Sequence, residues 1–258
     1  MTGDPSGEEV LIRPVKGPRD PEAAPDLILA MTAPLLELFV RKTGAMEARV
    51  SDYGLYRVYQ AFREGEGGPR LTLAGPFIGA PQAVMGLEKM IALGAKRVLA
   101  AGVCGSLQDG LCVGDMVIPL CAVSEEGTSR HYGSGTSTPP ADKGLSASIQ
   151  KEVERRGLAC RSGHVWTTDA PYRETRDKVQ AFQARGMLAV EMEMAALLTV
   201  ARYRGVRFSG LMAVSDELFG PEWRPAFSGK ALKRACLDLV EVLLSVVNFR
   251  APGGEAAG

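Results

Sequence analysis

Three short segments of the chain carry residues that could do chemistry. In Val190-Glu191-Met192-Glu193-Met194-Ala195-Ala196, two carboxylates two positions apart sit inside an apolar run. Burying them is costly unless hydrogen-bond donors meet them. At a strand–helix junction Glu191 and Glu193 point in different directions, which argues against a carboxylate dyad. A buried Glu accepting two vicinal hydroxyls suits a ribose; the plainer reading is a helix N-terminal charge favoured by the macrodipole. In Val214-Ser215-Asp216, the Asp follows the apolar run FSGLMAV. Such an Asp either caps a following helix or, partly desolvated, serves as a general acid. Third, Gly102-Val103-Cys104-Gly105-Ser106 follows the run KRVLAA. Glycines there admit a ligand close to the backbone, with N–H groups free for an anion. The segment is neither a Walker loop nor GxGxxG, and by itself reads equally as a tight strand-to-helix turn.

Positioning these segments requires alternating strands and helices. Buried strands are predicted at Asp26–Met31, Lys96–Ala101, Met116–Pro119 with Val123, Ala159–Thr167, Leu188–Val190 and Phe208–Val214. Tyr53–Phe62 and Arg70–Ala74 flank the turn-rich REGEGGP as a hairpin. Helical spacing covers Gln82–Leu93, Leu145–Arg156, Arg173–Arg185, Met192–Arg204 and Gly229–Val247, several of them followed by a terminating Gly. Ser124–Gly144 is a long polar stretch of the kind that is functional or disordered. Strand–helix alternation without an internal repeat or linker predicts a single three-layer α/β/α domain, residues 26–248, with a central mixed β-sheet. Residues 1–25 and 249–258, rich in Pro, Gly and charge, read as flexible tails.

Composition narrows the function classes. The 258 residues hold 30 Lys+Arg and 30 Asp+Glu, so the formal net charge is zero, and 46% are hydrophobic. Disorder as the dominant state is excluded, and nothing attracts nucleic acid or an anionic membrane at long range. No apolar run reaches the roughly 20 residues of a membrane span. The N-terminus is acidic where a signal peptide would be basic and then apolar, which predicts a cytoplasmic chain. Five cysteines with no CxxC spacing predict reduced thiols, and two distant histidines, His131 and His164, make no His-rich metal site.

Taken together, GPFIGAPQAVMGLEKMIALGAKRVLAAGVCGSLQDGLCVGDMVIP, TTDAPY (Thr167–Tyr172), VEMEMAA and VSDEL resemble, in order and spacing, the nucleoside phosphorylase family of uridine phosphorylase, purine nucleoside phosphorylase and adenosylhomocysteine nucleosidase. The resemblance runs from about Asp26 to Val247. It implies cleavage of an N-glycosidic bond of a purine or pyrimidine nucleoside through an oxocarbenium-like sugar, with Asp216 and Glu193 as catalytic residues. Glu193 would bind the ribose 2′- and 3′-hydroxyls beside Glu191, with Met192 against the sugar. Asp216 would serve a purine N7, supported by Ser215, and Tyr172 and Trp166 would line the base pocket. Gly102, Val103 and Cys104 would face the substrate. Arg173 or Arg176 is a candidate base contact, the plainer reading being solvated charges at an exposed helix start, and His131 lies either in a loop closing over the substrate or simply at the surface. No metal or organic cofactor is implied; phosphate is the candidate co-substrate. A homo-oligomer, dimer or trimer of dimers, is also implied.

Two departures stand out. Family phosphorylases carry a phosphate-holding Arg in the strand before the Gly loop, as in RxGTxG. Here Ala100 occupies that place and Val103 replaces the Thr or Ser ligand. The GDPxR phosphate loop is replaced by MTAPLLEL, without Arg. Losing two charge-assisted contacts costs about 1.5–3 kcal/mol each in anion affinity. Arg49 and Arg57 lie where the family sometimes borrows an Arg from a neighbouring subunit. Three readings therefore stay open: a phosphorylase with a rebuilt anion site, a nucleosidase using water, and a non-catalytic nucleoside-binding protein.

Overall fold

The computed structural model describes residues 9–51, 54–62, 65, 67–133 and 138–249. Strand β1 (Asp26–Ala30) leads into helix α1 (Ala33–Thr43), then β2 (Met46–Ala48), β3 (Arg57–Phe62), β4 (Pro69–Gly75) and α2 (Ala80–Ala92). The second half runs β5 (Arg97–Ser106), β6 (Met116–Ser124), α3 (Lys143–Arg155), β7 (Cys160–Thr167), α4 (Arg176–Ala184) and β8 (Ala189–Glu191). It ends with α5 (Met194–Arg204), β9 (Arg207–Glu217), β10 (Arg224–Pro225) and α6 (Lys230–Val246).

The strands form one mixed sheet in the order β10-β9-β6-β7-β8-β5-β1-β4-β3-β2, and β9 also pairs with β5. That extra pairing closes β5, β9, β6, β7 and β8 into a ring. Side-chain alternation then assigns the layers. From β1, Leu27 and Leu29 point into one core with Val84, Leu87 and Met90 of α2 and the apolar residues of α5. Ile28 and Ala30 point into the other, with Leu35 and Phe39 of α1, Ile149 of α3 and Leu239 and Leu243 of α6. The domain is therefore three-layered, as the alternation predicts. Helix α5 is buried along almost its whole length, which explains why its sequence shows an apolar run rather than a stripe.

Several elements differ from their predicted bounds in ways that matter for the site. The glycine segment after KRVLAA is no turn, because β5 continues through Ser106. Its long partner β9 likewise runs through Val214-Ser215-Asp216 to Glu217, so Asp216 caps no helix. The two strands pair in parallel for ten positions. Cys104 faces Val214 while Gly105 faces Asp216, leaving Ser215 as an extra residue on β9. Such a bulge re-aims the side chains around it. Gly105 is required there: a Cβ would lie 2.4 Å from the Leu218 side chain and 3.1 Å from Asp216 Oδ2.

Met116–Pro119 and Val123 belong to one strand, α5 begins at Met194 rather than Met192, and α4 begins at Arg176, preceded by a 3-10 turn over Pro171–Arg173. Helix α1 was not evident in MTAPLLEL, although Thr32 caps it and Pro34 occupies its first turn. The predicted tails are shorter where described. Asp20, Ala23 and Ala24 are buried, and Asp20 pairs with Lys89 at 2.7 Å. Lys89 and donors from Ser51 hold the Asp20 carboxyl well below the usual range against the opposing effect of burial. Phe249 packs into the α1–α6 side of the core. Residues 1–8 and 250–258 of the predicted tails, Tyr53, Arg63, Glu64 and Glu66 of the predicted hairpin, and residues 134–137 of the polar stretch lie outside the described residues.

Candidate active site

The carboxyl ends of β5, β8 and β9 meet at one cavity of about 480 Å³, a volume typical of small-molecule sites. Met31 and Thr32 line it from the end of β1, Phe77 and Ile78 from the β4–α2 connection, and Val103, Cys104 and Gly105 from β5. Glu191, Met192 and Glu193 enter from the β8–α5 junction, and Ser215, Asp216, Leu218, Trp223 and Phe227 from β9 and the segment after it. Pro171, Tyr172, Glu174 and Val190 complete the wall.

At one end, local chemistry fixes two carboxylates in different roles. Glu191 accepts the backbone N–H groups of Glu193 and Met194, each at 2.7 Å, and the Thr167 hydroxyl. The Thr167 oxygen in turn accepts the Ala195 N–H at 3.0 Å. The free N–H groups at the start of α5 are thus satisfied by one side-chain relay, which is why the helix starts two residues later than its apolar pattern. Glu191 is a structural anchor, and its carboxylate is occupied from within the protein.

Glu193 is different. Its Oε1 accepts the Gly79 backbone N–H at 2.6 Å, the Met192 backbone N–H also favours its ionised form, and no side-chain donor reaches it among the described residues. Gly79 has φ +80°, a left-handed conformation that glycine adopts without strain. Burial and the neighbouring Glu191 charge push the Glu193 carboxyl up. Burial pushes Glu191 up as well, against the pull of its three donors. A buried carboxyl met by backbone donors alone has room for hydroxyl donors from a ligand.

At the other end, Asp216 has both oxygens engaged. The Ser215 hydroxyl, which also lies 3.2 Å from the Cys104 carbonyl, donates to Oδ1 at 2.6 Å. The Trp223 indole N–H donates to Oδ2 at 2.8 Å. Glu174, half-buried on the adjacent wall, accepts no hydrogen bond among the described residues. Burial, then the Asp216 and Glu125 charges, push its carboxyl up to about 7. Cys104 is buried, and desolvation with the Asp216 and Glu191 charges drives its thiol well above the ordinary value, so it lines the pocket as a neutral group.

The pocket thus brings together Glu191, Met192, Glu193, Ser215, Asp216, Tyr172, Val103 and Cys104 from the sequence prediction. It excludes four others. Trp166 is fully buried behind the wall, stacked on Phe182 with centroids 4.3 Å apart, and donates to Glu125 at 3.0 Å. Gly102 faces inward, where a Cβ would meet Met31 and Met212. Arg173 and His131 are exposed on 3-10 turns and do not line the cavity. Neither Arg49 nor Arg57 lines it. Ala100 is fully buried in the core, with Gly210 packed against its side chain. Trp223, Phe227, Glu174 and Gly79 were missed by sequence reasoning. The first two follow VSDEL in an irregular stretch without periodicity, and the last acts through its backbone N–H. Four carboxylates line the cavity, and no Lys or Arg does so among the described residues. Groups of three or more metal-ligating side chains are also lacking there among the described residues. No helix described is long and apolar enough to cross a membrane.

Comparison with known proteins agrees with this architecture. Residues 27–248 match the model of the phosphorylase superfamily. A guanosine phosphorylase of Halorubrum lacusprofundi is 30% identical over 185 residues, 72% of this chain and 77% of that protein. A DeoD-type purine nucleoside phosphorylase of Bacillus cereus is 32% identical over 157 residues, 60% of this chain and 67% of that protein. Uridine phosphorylase of Vibrio fischeri superposes with a TM-score of 0.76 at 22% identity, covering 88% of this chain and 92% of that one. Purine nucleoside phosphorylase of Toxoplasma gondii, in complex with immucillin-H, gives 0.75 at 22%, covering 88% and 91%. At such identities the structural likeness speaks for the fold.

Proposed function

The chain belongs to the phosphorylase superfamily, and on that premise we propose that it cleaves the N-glycosidic bond of a purine nucleoside. The observation that carries the reading is the pair of differently prepared carboxyls at the two ends of one cavity. Glu193 keeps acceptor capacity for the 2′- and 3′-hydroxyls of a sugar laid against Met192. Asp216, held by Ser215 and Trp223, faces the base. As the C1′–N9 bond breaks, its electron pair passes to the base; Asp216, entering the step as the protonated acid, gives its proton to N7 and is left as the carboxylate that Ser215 and Trp223 hold. The base leaves neutral and the sugar passes through an oxocarbenium-like state. A purine offers N7 for this proton, whereas uracil has no equivalent atom, and the guanosine and purine phosphorylase relatives favour the same choice.

Two nucleophiles can complete the reaction at C1′, phosphate or water. The described lining favours water as the second reading, because four carboxyl groups and, among the described residues, no Lys or Arg line the cavity. Phosphate would require cationic groups that this lining does not supply. The premise also carries self-association, which light scattering tests: a 27.5 kDa species would refute it.

Incubation with adenosine, guanosine, inosine and uridine, with and without phosphate, followed by chromatography, tests both points. The expected result is free purine base. Release only with phosphate selects phosphorolysis, and release in its absence selects hydrolysis. Nucleoside bound and never cleaved overturns the enzymatic reading.

A further inference from the structure

Trp223 lies on the segment joining β9 to α6, and its indole N–H reaches Asp216 Oδ2 at 2.8 Å. With the Ser215 hydroxyl on Oδ1 at 2.6 Å, each carboxylate oxygen is held from a different direction. The group cannot rotate without losing both bonds. The backbone around Trp223 is itself fastened to the strand that carries Asp216. Arg224 pairs with Glu217 and Pro225 with Asp216 in the β9–β10 ladder, and the Ala226 N–H reaches the Ser215 carbonyl at 3.1 Å. Yet Trp223 is 58% exposed, so its position is set by that hydrogen bond, its backbone and the neighbouring Phe227 ring, with centroids 6.0 Å apart, rather than by a packed core.

Trp223 also lines a second cavity of about 160 Å³, together with Arg176, Gln180 and Gln183. Glu174, Leu218 and Trp223 line both spaces, and Trp223 is the bulkiest of these shared residues.

We propose that Trp223 is the positioning and specificity-determining residue of the base end, its N–H fixing the Asp216 carboxylate and its ring closing off the adjoining cavity. The proposal rests on Asp216 being the base-facing acid. Trp223→Phe keeps an aromatic ring and deletes the donor. It is expected to lower kcat about tenfold with KM changed less than about threefold, and Trp223→His, which retains a ring N–H, to recover most of the loss. Trp223→Ala opens the partition, so its kcat/KM for N6-benzyladenosine relative to adenosine is expected to rise about tenfold over wild type. Wild-type kcat in Trp223→Phe overturns the positioning role, and an unchanged substrate ratio in Trp223→Ala overturns the partition.

Fluorescence separates these outcomes from failure of the enzymatic reading. The chain has two tryptophans, and Trp166 is fully buried, so added adenine or hypoxanthine is expected to alter emission in wild type and not in Trp223→Phe. An identical response in the two overturns the placement of Trp223 against the base. If wild type releases no base from any nucleoside, the enzymatic reading fails, while this titration still decides the placement.

Discussion

Glu193 is 6% exposed at the start of a buried helix, whereas Trp223 and Tyr172, at the other end of the same cavity, are 58% and 100% exposed. The Glu193 end is built from interior parts. Thr167 and the first N–H groups of α5 saturate Glu191, and that arrangement leaves Glu193 facing the cavity beside Gly79. The Trp223 end is built from surface parts: a 3-10 turn at Pro171–Arg173 and the segment after β9. A ribose is common to all nucleosides, so its recognition can be made rigid. On the proposed reading the base is what varies, and it would be met by residues at the surface.

The largest effect that would break this division is on turnover. Asp216→Asn presents an amide to two donors, Ser215 and Trp223, and removes the transferable proton. It is expected to lower kcat/KM about 100-fold or more, with Glu193→Ala also strongly impaired; full turnover by both variants in a base-release assay would refute the assignment. Next comes stability. Thr167→Val deletes a donor to Glu191 and the acceptor of the Ala195 N–H, and should cost about 2–3 kcal/mol in urea unfolding, with Thr167→Ser close to wild type. Tyr172→Ala should stay within about 0.5 kcal/mol. Equal losses in the two would erase the contrast between interior and surface ends.

The smallest expected effect concerns Glu174, whose carboxyl is raised from 4.5 to about 7 by burial and nearby carboxylates. Its folded pKa lies above the unfolded one, so its ionisation works against folding. The stability it allows is fully present below about 4.5, declines as pH rises towards about 7, and stays low above that. Glu174→Gln is therefore expected to raise Tm relative to wild type above about pH 7, with the difference shrinking towards about pH 4.5. A pH-independent difference in thermal melts would place Glu174 in solvent, away from the other acids.

Much of the fold was legible because burial writes itself into apolar spacing. The runs at Asp26–Met31, Lys96–Ala101 and Phe208–Val214 are strands buried on two faces, and Val84, Leu87 and Met90 mark the inner side of α2. Element ends were less legible. That β5 and β9 continue past Gly102 and Val214 follows from their mutual ladder and the Ser215 bulge, which no local pattern encodes. Trp166 and Trp223 show the same limit. Trp166 lies within β7 and Trp223 follows β9, but one stacks behind the wall on Phe182 and the other reaches Asp216.

By itself, the sequence determined the layer architecture, the absence of a His-rich metal site and the presence of Glu191, Glu193 and Asp216 at junctions of buried segments. It did so because side-chain type and periodicity are local properties. Only the tertiary structure decided which carboxylate of VEME is consumed as an anchor and which stays open to a ligand. It also decided which aromatic closes the base end and which residues line the cavity. Those outcomes depend on donors at Gly79, Thr167 and Trp223, brought to the carboxylates by packing between segments far apart in the chain.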